Sequence, residues 1–211
     1  MREYKHLLLA NKAWAAELKE ERPDYFERQV AGQHPEFLWI GCSDSRVAAG
    51  QLTNTPPGGM FIHRNVANLV NDDDINLMSV LEYAVTVLKV RHIIICGHYG
   101  CGGIAAALAG NATGYVGQWL RTAEQVLHNH QDEIDALPEG QRANRLVELN
   151  VRDQLVRLAQ TSVIQNAFAA GQTLYLHGWV YDLRDGLIKP MMEIDAETPL
   201  DEVPRPQPVL V

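Results

Sequence analysis

Apolar residues along the chain fall into two patterns, a helical period near 3.6 and short unbroken runs, and the changes between them lay out the elements. Leu7, Leu8, Trp14, Ala15 and Leu18 recur at helical spacing with charge between them, so the first thirty residues read as helix. Pro23 breaks that pattern, and residues 24–30 predict a second short helix. Such an arm cannot bury both faces alone, which predicts packing on the main body or on another subunit. The apolar run at 37–40 predicts a buried strand ending in Gly41-Cys-Ser-Asp-Ser-Arg46. Beyond the turn cluster at 56–59, residues 60–63 read as a short strand. The three aspartates at 72–74 supply an N-cap and helix-compatible charge to a helix reaching about Lys89, striped by Ile75, Met78, Leu81, Val85 and Leu88. Residues 92–96 are apolar and β-branched, a central strand, and lead into Gly97-His-Tyr-Gly-Cys-Gly-Gly103, after which 104–109 resume as helix. Long helical patterns cover 115–130 and 142–160, joined by a turn at 138–140. Residues 173–181 have strand composition, and Asp185-Gly186 turns the chain so that 187–194 returns as an antiparallel partner.

Strand–helix–strand–helix order predicts an α/β fold. A mostly parallel central sheet is flanked by helices on both faces, with an N-terminal helical arm (1–31) and one antiparallel edge strand. The expected organisation is a single domain over 1–198 and a proline-rich tail over 199–211 without regular structure. In such sheets ligands bind beyond the carboxyl ends of the strands, where the strand order reverses. Segments 41–46 and 97–103 both follow apolar strands directly, so they can converge on one crevice.

Composition adds exclusions. The formal charge of −8 on 211 residues disfavours nucleic acid and anionic lipid as partners. The N-terminal apolar run of four residues, 7–10, is far short of a signal-peptide core, and no stretch has the length of a membrane span. The expectation is a cytoplasmic protein. Three cysteines, an odd and sparse count, argue against a disulfide scaffold and for a reducing compartment.

The candidate chemistry lies in those cysteines. Cys42, His98 and Cys101 offer two thiolates and an imidazole, a donor set suited to tetrahedral Zn²⁺, and glycines let the 97–103 loop turn tightly. Three protein ligands leave a fourth position, as in catalytic sites. Asp44 can fill it, or can hydrogen-bond a water there, with Arg46 holding the carboxylate ionised. Cys96, inside its apolar strand, reads as a packing residue, and His63, His92 and His177 read as satisfied strand-end or core histidines. His128 and His130 read as a solvated helix end. The glycine-rich loop lacks the lysine and spacing of a phosphate loop.

Cys42-Ser-Asp-Ser-Arg46 together with Gly97-His-Tyr-Gly-Cys-Gly-Gly103 resembles the paired signature of the β-class carbonic anhydrases. The likeness extends through Phe61-Ile-His-Arg-Asn-Val-Ala-Asn-Leu69 and His177-Gly-Trp-Val-Tyr181, covering about residues 30 to 195. The resemblance implies reversible hydration of CO₂ to bicarbonate on one zinc ion per subunit of a homodimer or homotetramer. Cys42, His98 and Cys101 are then the ligands and Asp44–Arg46 the catalytic dyad. Gln33 and the amide of Gly102 orient substrate, and Phe61, Val66 and Tyr83 line an apolar CO₂ pocket. In a subgroup of the family, residues matching Trp39, Arg64 and Tyr181 hold bicarbonate in a second pocket, and Asp44 leaves Arg46 to close the metal. Two thiolates cancel the charge of Zn²⁺, so water activation is weaker than at three histidines, and the rate is expected to rise between about pH 7 and about pH 9.

Three other readings share parts of this pattern: a hydrolase of carbon disulfide on the same scaffold, a zinc-bearing bicarbonate-sensing module closed by Asp44, and a thiol enzyme using Cys42 or Cys101. The intact Asp44–Arg46 pair favours an enzyme, and metal analysis separates a thiol enzyme from the rest.

Overall fold

The computed structural model describes residues 3–208, and the chain divides into two units, Met1–His34 and Pro35–Val211. The first holds α1 (Tyr4–Glu21) and α2 (Tyr25–Val30), interrupted at Pro23 as predicted. Trp14 meets Tyr25 and Phe26 edge to face at 6.4 and 5.7 Å, which ties the two helices to each other. Neither helix buries a residue, and Leu7, Leu8, Leu9 and Trp14 stand exposed.

In the second unit, β1 (Phe37–Cys42), β2 (Met60–Asn65), β3 (His92–His98), β4 (Tyr175–Asp182) and β5 (Leu187–Ile194) form one sheet in the order β2-β1-β3-β4-β5. All pairs are parallel except β4–β5, so the antiparallel edge appears where it was predicted, and β3 is central. From β1 the chain steps to β2 on one side and then crosses to β3 on the other. The reversal of order therefore falls between β1 and β3, at the ends that carry Cys42 and His98.

Alternation along the strands sends Leu38, Ile40, Ile93, Ile95, Leu176 and Val180 into the main core. The buried apolar residues of α4 (Ile75–Glu82), α5 (Gly102–Ala109), α6 (Gly114–Asn129), α7 (Gln131–Asp135), α8 (Glu139–Gln160) and α9 (Ser162–Ala169) belong to that same core. Trp39, Ile94, Cys96 and Tyr181 form a small cluster on the other face, with Val47 and the short α3 (Ala49–Leu52). Helices on both faces were expected. Within this unit the long helices pack on one face and only the short α3 on the other, where the apolar cluster is much smaller.

Other differences have local causes. The helix predicted from 75 to 89 starts on Asp74, whose carboxylate accepts from the Asn76 amide, but widens into a π-helical turn at Tyr83–Val87. Of the predicted turn at 138–140, Pro138 is the N-cap residue of α8 while Glu139 and Gly140 already belong to that helix, and α7 fills the gap after α6. His130 is buried against Asp153 at 3.1 Å, not solvated; His128 is exposed. The segment that forms α9 had no predicted element, though Thr161 caps it. Residues 199–208 form no helix or strand, yet they are seated: Val203 is buried and accepts from Arg152, and Arg205 pairs with Glu133. Residues 209–211 lie outside the described part. Among the described residues, no helix is long and apolar enough to cross a membrane.

Candidate metal centre

Cys42 ends β1 and His98 ends β3, its neighbour, while Cys101 returns from the loop that follows β3. Two glycines shape this return. A Cβ on Gly97 would stand 2.7 Å from Val151 Cγ2, so only glycine lets α8 press against the loop, and Gly100 has φ +70°, the left-handed region. The result brings one donor atom each from Cys42, His98 and Cys101 within 4.8 Å of one another, all buried.

The sulfurs are 3.9 Å apart. Two thiolates bound to one tetrahedral zinc at about 2.3 Å each would be about 3.8 Å apart. His98 is fully buried, and its Nδ1 donates to the Tyr99 carbonyl at 3.1 Å, which leaves the lone pair on Nε2. That Nε2 has no hydrogen-bond partner, although a buried nitrogen normally has one. The two sulfurs are in hydrogen-bond contact, which holds the Cys42 thiol below its ordinary range, whereas the same contact and burial push Cys101 up. An unpartnered imidazole nitrogen beside two sulfurs at this separation fits a divalent zinc ion.

Asp44 stands at the rim. Its Oδ1 accepts from Arg46 Nε at 2.9 Å and from the Arg46 amide at 3.0 Å, and Oδ2 accepts from the guanidinium at 2.7 Å. These bonds hold the carboxyl well below the usual carboxylate range. Oδ2 is also 3.8 Å from His98 Nε2, so the carboxylate faces the donor cluster while turned to Arg46. Arg46 reaches on to the Gly100 carbonyl at 3.3 Å, which joins the two loops. Arg64 donates to the carbonyls of Cys42 and Asp44 at 2.9 and 2.6 Å, pinning the backbone that carries ligand and carboxylate.

Trp39 and Tyr181, 1 % and 8 % exposed, share the small second-face cluster, and strand alternation places Arg64 on that same face. Cys96 is buried there too, as a packing residue. The Phe61 and Tyr83 rings lie 5.8 Å apart, and Val66 and Tyr83 remain 39 % and 44 % exposed, so this apolar surface is open. Gly102 opens α5, where a backbone N–H has no acceptor inside the helix. Gln33 is exposed in the Met1–His34 unit.

Sequence reasoning missed the layer beneath. Ala67 and Asn68 have left-handed backbones, φ 66° and 50°. Asn150 of α8 donates to the Ala67 carbonyl, and Gln154 accepts from the Val70 amide. Tyr99 donates to Glu148 of α8 at 2.7 Å. The available signal was the set of polar residues 145, 148, 150 and 154 amid the apolar positions of one helix, which a stripe pattern alone treats as noise.

Against known proteins, a family model for carbonic anhydrase matches residues 37–188. The chain is 46 % identical over 181 residues to a carbonic anhydrase of Emericella nidulans, covering 85 % of this chain and 79 % of that one. It superposes on the Coccomyxa β-carbonic anhydrase solved with acetazolamide with a TM-score of 0.88 at 38 % identity, covering 92 % of this chain and 89 % of that one. It matches one of two tetrameric β-carbonic anhydrases from Sordaria macrospora with a TM-score of 0.87 at 39 % identity, over 92 % and 100 % of the chains. The fold agrees with these solved structures, and the chain belongs to the β-carbonic anhydrase family.

Proposed function

We propose that this carbonic anhydrase hydrates CO₂ reversibly, CO₂ + H₂O ⇌ HCO₃⁻ + H⁺, with one zinc ion per subunit held by Cys42, His98 and Cys101. The observation that carries the reading is the unpartnered Nε2 of His98 beside the Cys42–Cys101 pair, with a carboxylate 3.8 Å away. When bound, zinc supplies the Lewis acidity that makes water a usable nucleophile near neutral pH. Asp44, held ionised by its bonds to Arg46, would accept a hydrogen bond from the attacking water and orient the water's oxygen toward the CO₂ carbon. Phe61, Val66 and Tyr83 offer the uncharged substrate an apolar surface, the Gly102 amide is a donor for an oxygen of CO₂, and Gln33 keeps the orienting role that the family resemblance gives it. In a closed sensing module Asp44 would leave Arg46 and occupy the fourth ligand position; its three bonds to Arg46 favour the enzyme.

Bicarbonate inhibition through Trp39, Arg64 and Tyr181 belongs to the same proposal. Its support is mechanical: Arg64 holds the carbonyls of Cys42 and Asp44, so an anion that draws the guanidinium away loosens the segment that sets the carboxylate. A homodimer or homotetramer is supported by the exposed Leu7, Leu8, Leu9, Trp14 and Ile62, by the open Val66–Tyr83 surface, and by the tetrameric relatives. A cytoplasmic site of action is inferred from the need to keep both ligand thiols reduced.

Stopped-flow CO₂ hydration on protein of measured zinc content tests the core reading. The expected result is about one zinc per chain, a rate rising between about pH 7 and about pH 9, and loss of both metal and rate in Cys42→Ser. Full activity after zinc removal would sink it. For the regulatory pocket, Trp39→Phe keeps most of the ring and deletes the indole N–H, and unchanged bicarbonate inhibition in that variant counts against it.

A further inference from the structure

Tyr99 lies between two ligands, yet its side chain points away from them, into α8. Its hydroxyl donates to Glu148 Oε1 at 2.7 Å, and Glu148 Oε2 accepts from Arg145 at 2.6 Å. Arg145 also pairs with Glu133 at 2.6 Å, and Glu133 accepts from Arg205 at 2.9 Å. Tyr99, Arg145 and Glu148 are 3 %, 5 % and 1 % exposed. At its backbone, the Tyr99 amide donates to the Tyr181 carbonyl at 3.0 Å, and Lys189 Nζ sits 5.7 Å from the ring centroid. The residue is fixed at its amide, its ring and its hydroxyl.

A buried carboxylate–guanidinium pair adds little net stability over apolar residues of the same volume. It does supply a rigid acceptor for a phenol. The Tyr99 carbonyl is the group that receives His98 Nδ1–H, and the partner of a ligand's second nitrogen sets its ring orientation and tautomer. We propose that Tyr99, clamped by Glu148 and Arg145 of α8, is a positioning residue that holds the His98 imidazole with Nε2 turned to the two sulfurs.

The inference rests on the zinc reading above, and its test separates the two. Zinc release from the loaded enzyme to a chromophoric chelator is followed below the melting temperature, alongside the visible ligand-field spectrum of the cobalt-substituted protein. Tyr99→Phe, which deletes one hydroxyl, is expected to release zinc about tenfold faster and to shift the cobalt bands. Glu148→Ala does the same, and the double variant loses no more than either single one, because both remove one link. Glu148→Gln keeps an acceptor for the phenol and stays within about threefold of the parent, the scale of one weak hydrogen bond. Leu155→Ala, a cavity in the same helix, lowers the melting temperature without changing release or spectrum.

Unchanged zinc release and cobalt spectrum in Tyr99→Phe overturn the proposal, whatever happens to its melting temperature. Additive losses in the double variant overturn it as well, as does tenfold faster release in Glu148→Gln. A parent protein that takes up neither zinc nor cobalt overturns the zinc reading instead.

Discussion

Asp44 combines two properties that seldom go together: its carboxylate is nearly satisfied by Arg46 and yet sits at the edge of a cluster with an unpartnered nitrogen. Asp44→Asn should retain zinc, because the three ligands are untouched, and lower kcat by about a hundredfold. Metal analysis beside stopped-flow rates checks both halves, and a variant that loses metal and rate together would make Asp44 a structural ligand. At this scale the candidate donor cluster was legible because its chemistry is written in residue type: two thiols and an imidazole beside glycines have few uses. Tyr99 and Glu148 were not legible, since they are common residues 49 positions apart and only the fold makes them partners. His130 was misread for the same reason, its partner Asp153 lying 23 positions on.

Elements were read well where pattern and packing agree. β1 and β3 run apolar and β4 alternates as their burial requires, and the Asp185-Gly186 turn sits where β5 begins its return. The reading failed where tertiary contact reshapes a helix, as in the π-helical turn after α4. That helix ends with the Val90 amide bonded to the Ala84 carbonyl and with exposed Lys89 at φ 55°, a conformation natural to glycine. Lys89→Gly is therefore expected to stabilise the protein by about 0.5–1 kcal/mol, seen as a rise of a few degrees in Tm. Gly97→Ala should act in the other direction. Its new methyl would meet Val151 at 2.7 Å, costing about 1–3 kcal/mol in denaturant unfolding. Adding Val151→Ala should return part of that loss, because the two sites share one contact.

For the whole molecule, pH is a probe of the buried charges. Asp182, 1 % exposed, is held well below the usual carboxylate range by Arg184 and then by Lys189. Its folded pKa lies below its unfolded one, so its contribution is fully present above about pH 4 and fades as pH falls further. Thermal melts should find Asp182→Asn less stable by about 1.5–3 kcal/mol at neutral pH, with the gap to the parent closing in acid; a gap independent of pH refutes the assignment. The class of fold and the switch point were legible from element order alone, whereas the seated tail was not, because its contacts are backbone acceptors and one arginine pair that composition does not report. The adjacency of β1 and β3 carries one more consequence. Cys42 and His98 are 56 positions apart in the chain, yet the ladder between their strands already holds them together. An ion arriving there joins parts that are neighbours without it, unlike the ion of a zinc finger, which has no fold to join until it binds. Folding and loading should thus run on separate clocks. Chelator-treated protein should keep its far-UV spectrum at a lower Tm, and its refolding rate should ignore zinc concentration while the recovery of activity follows it.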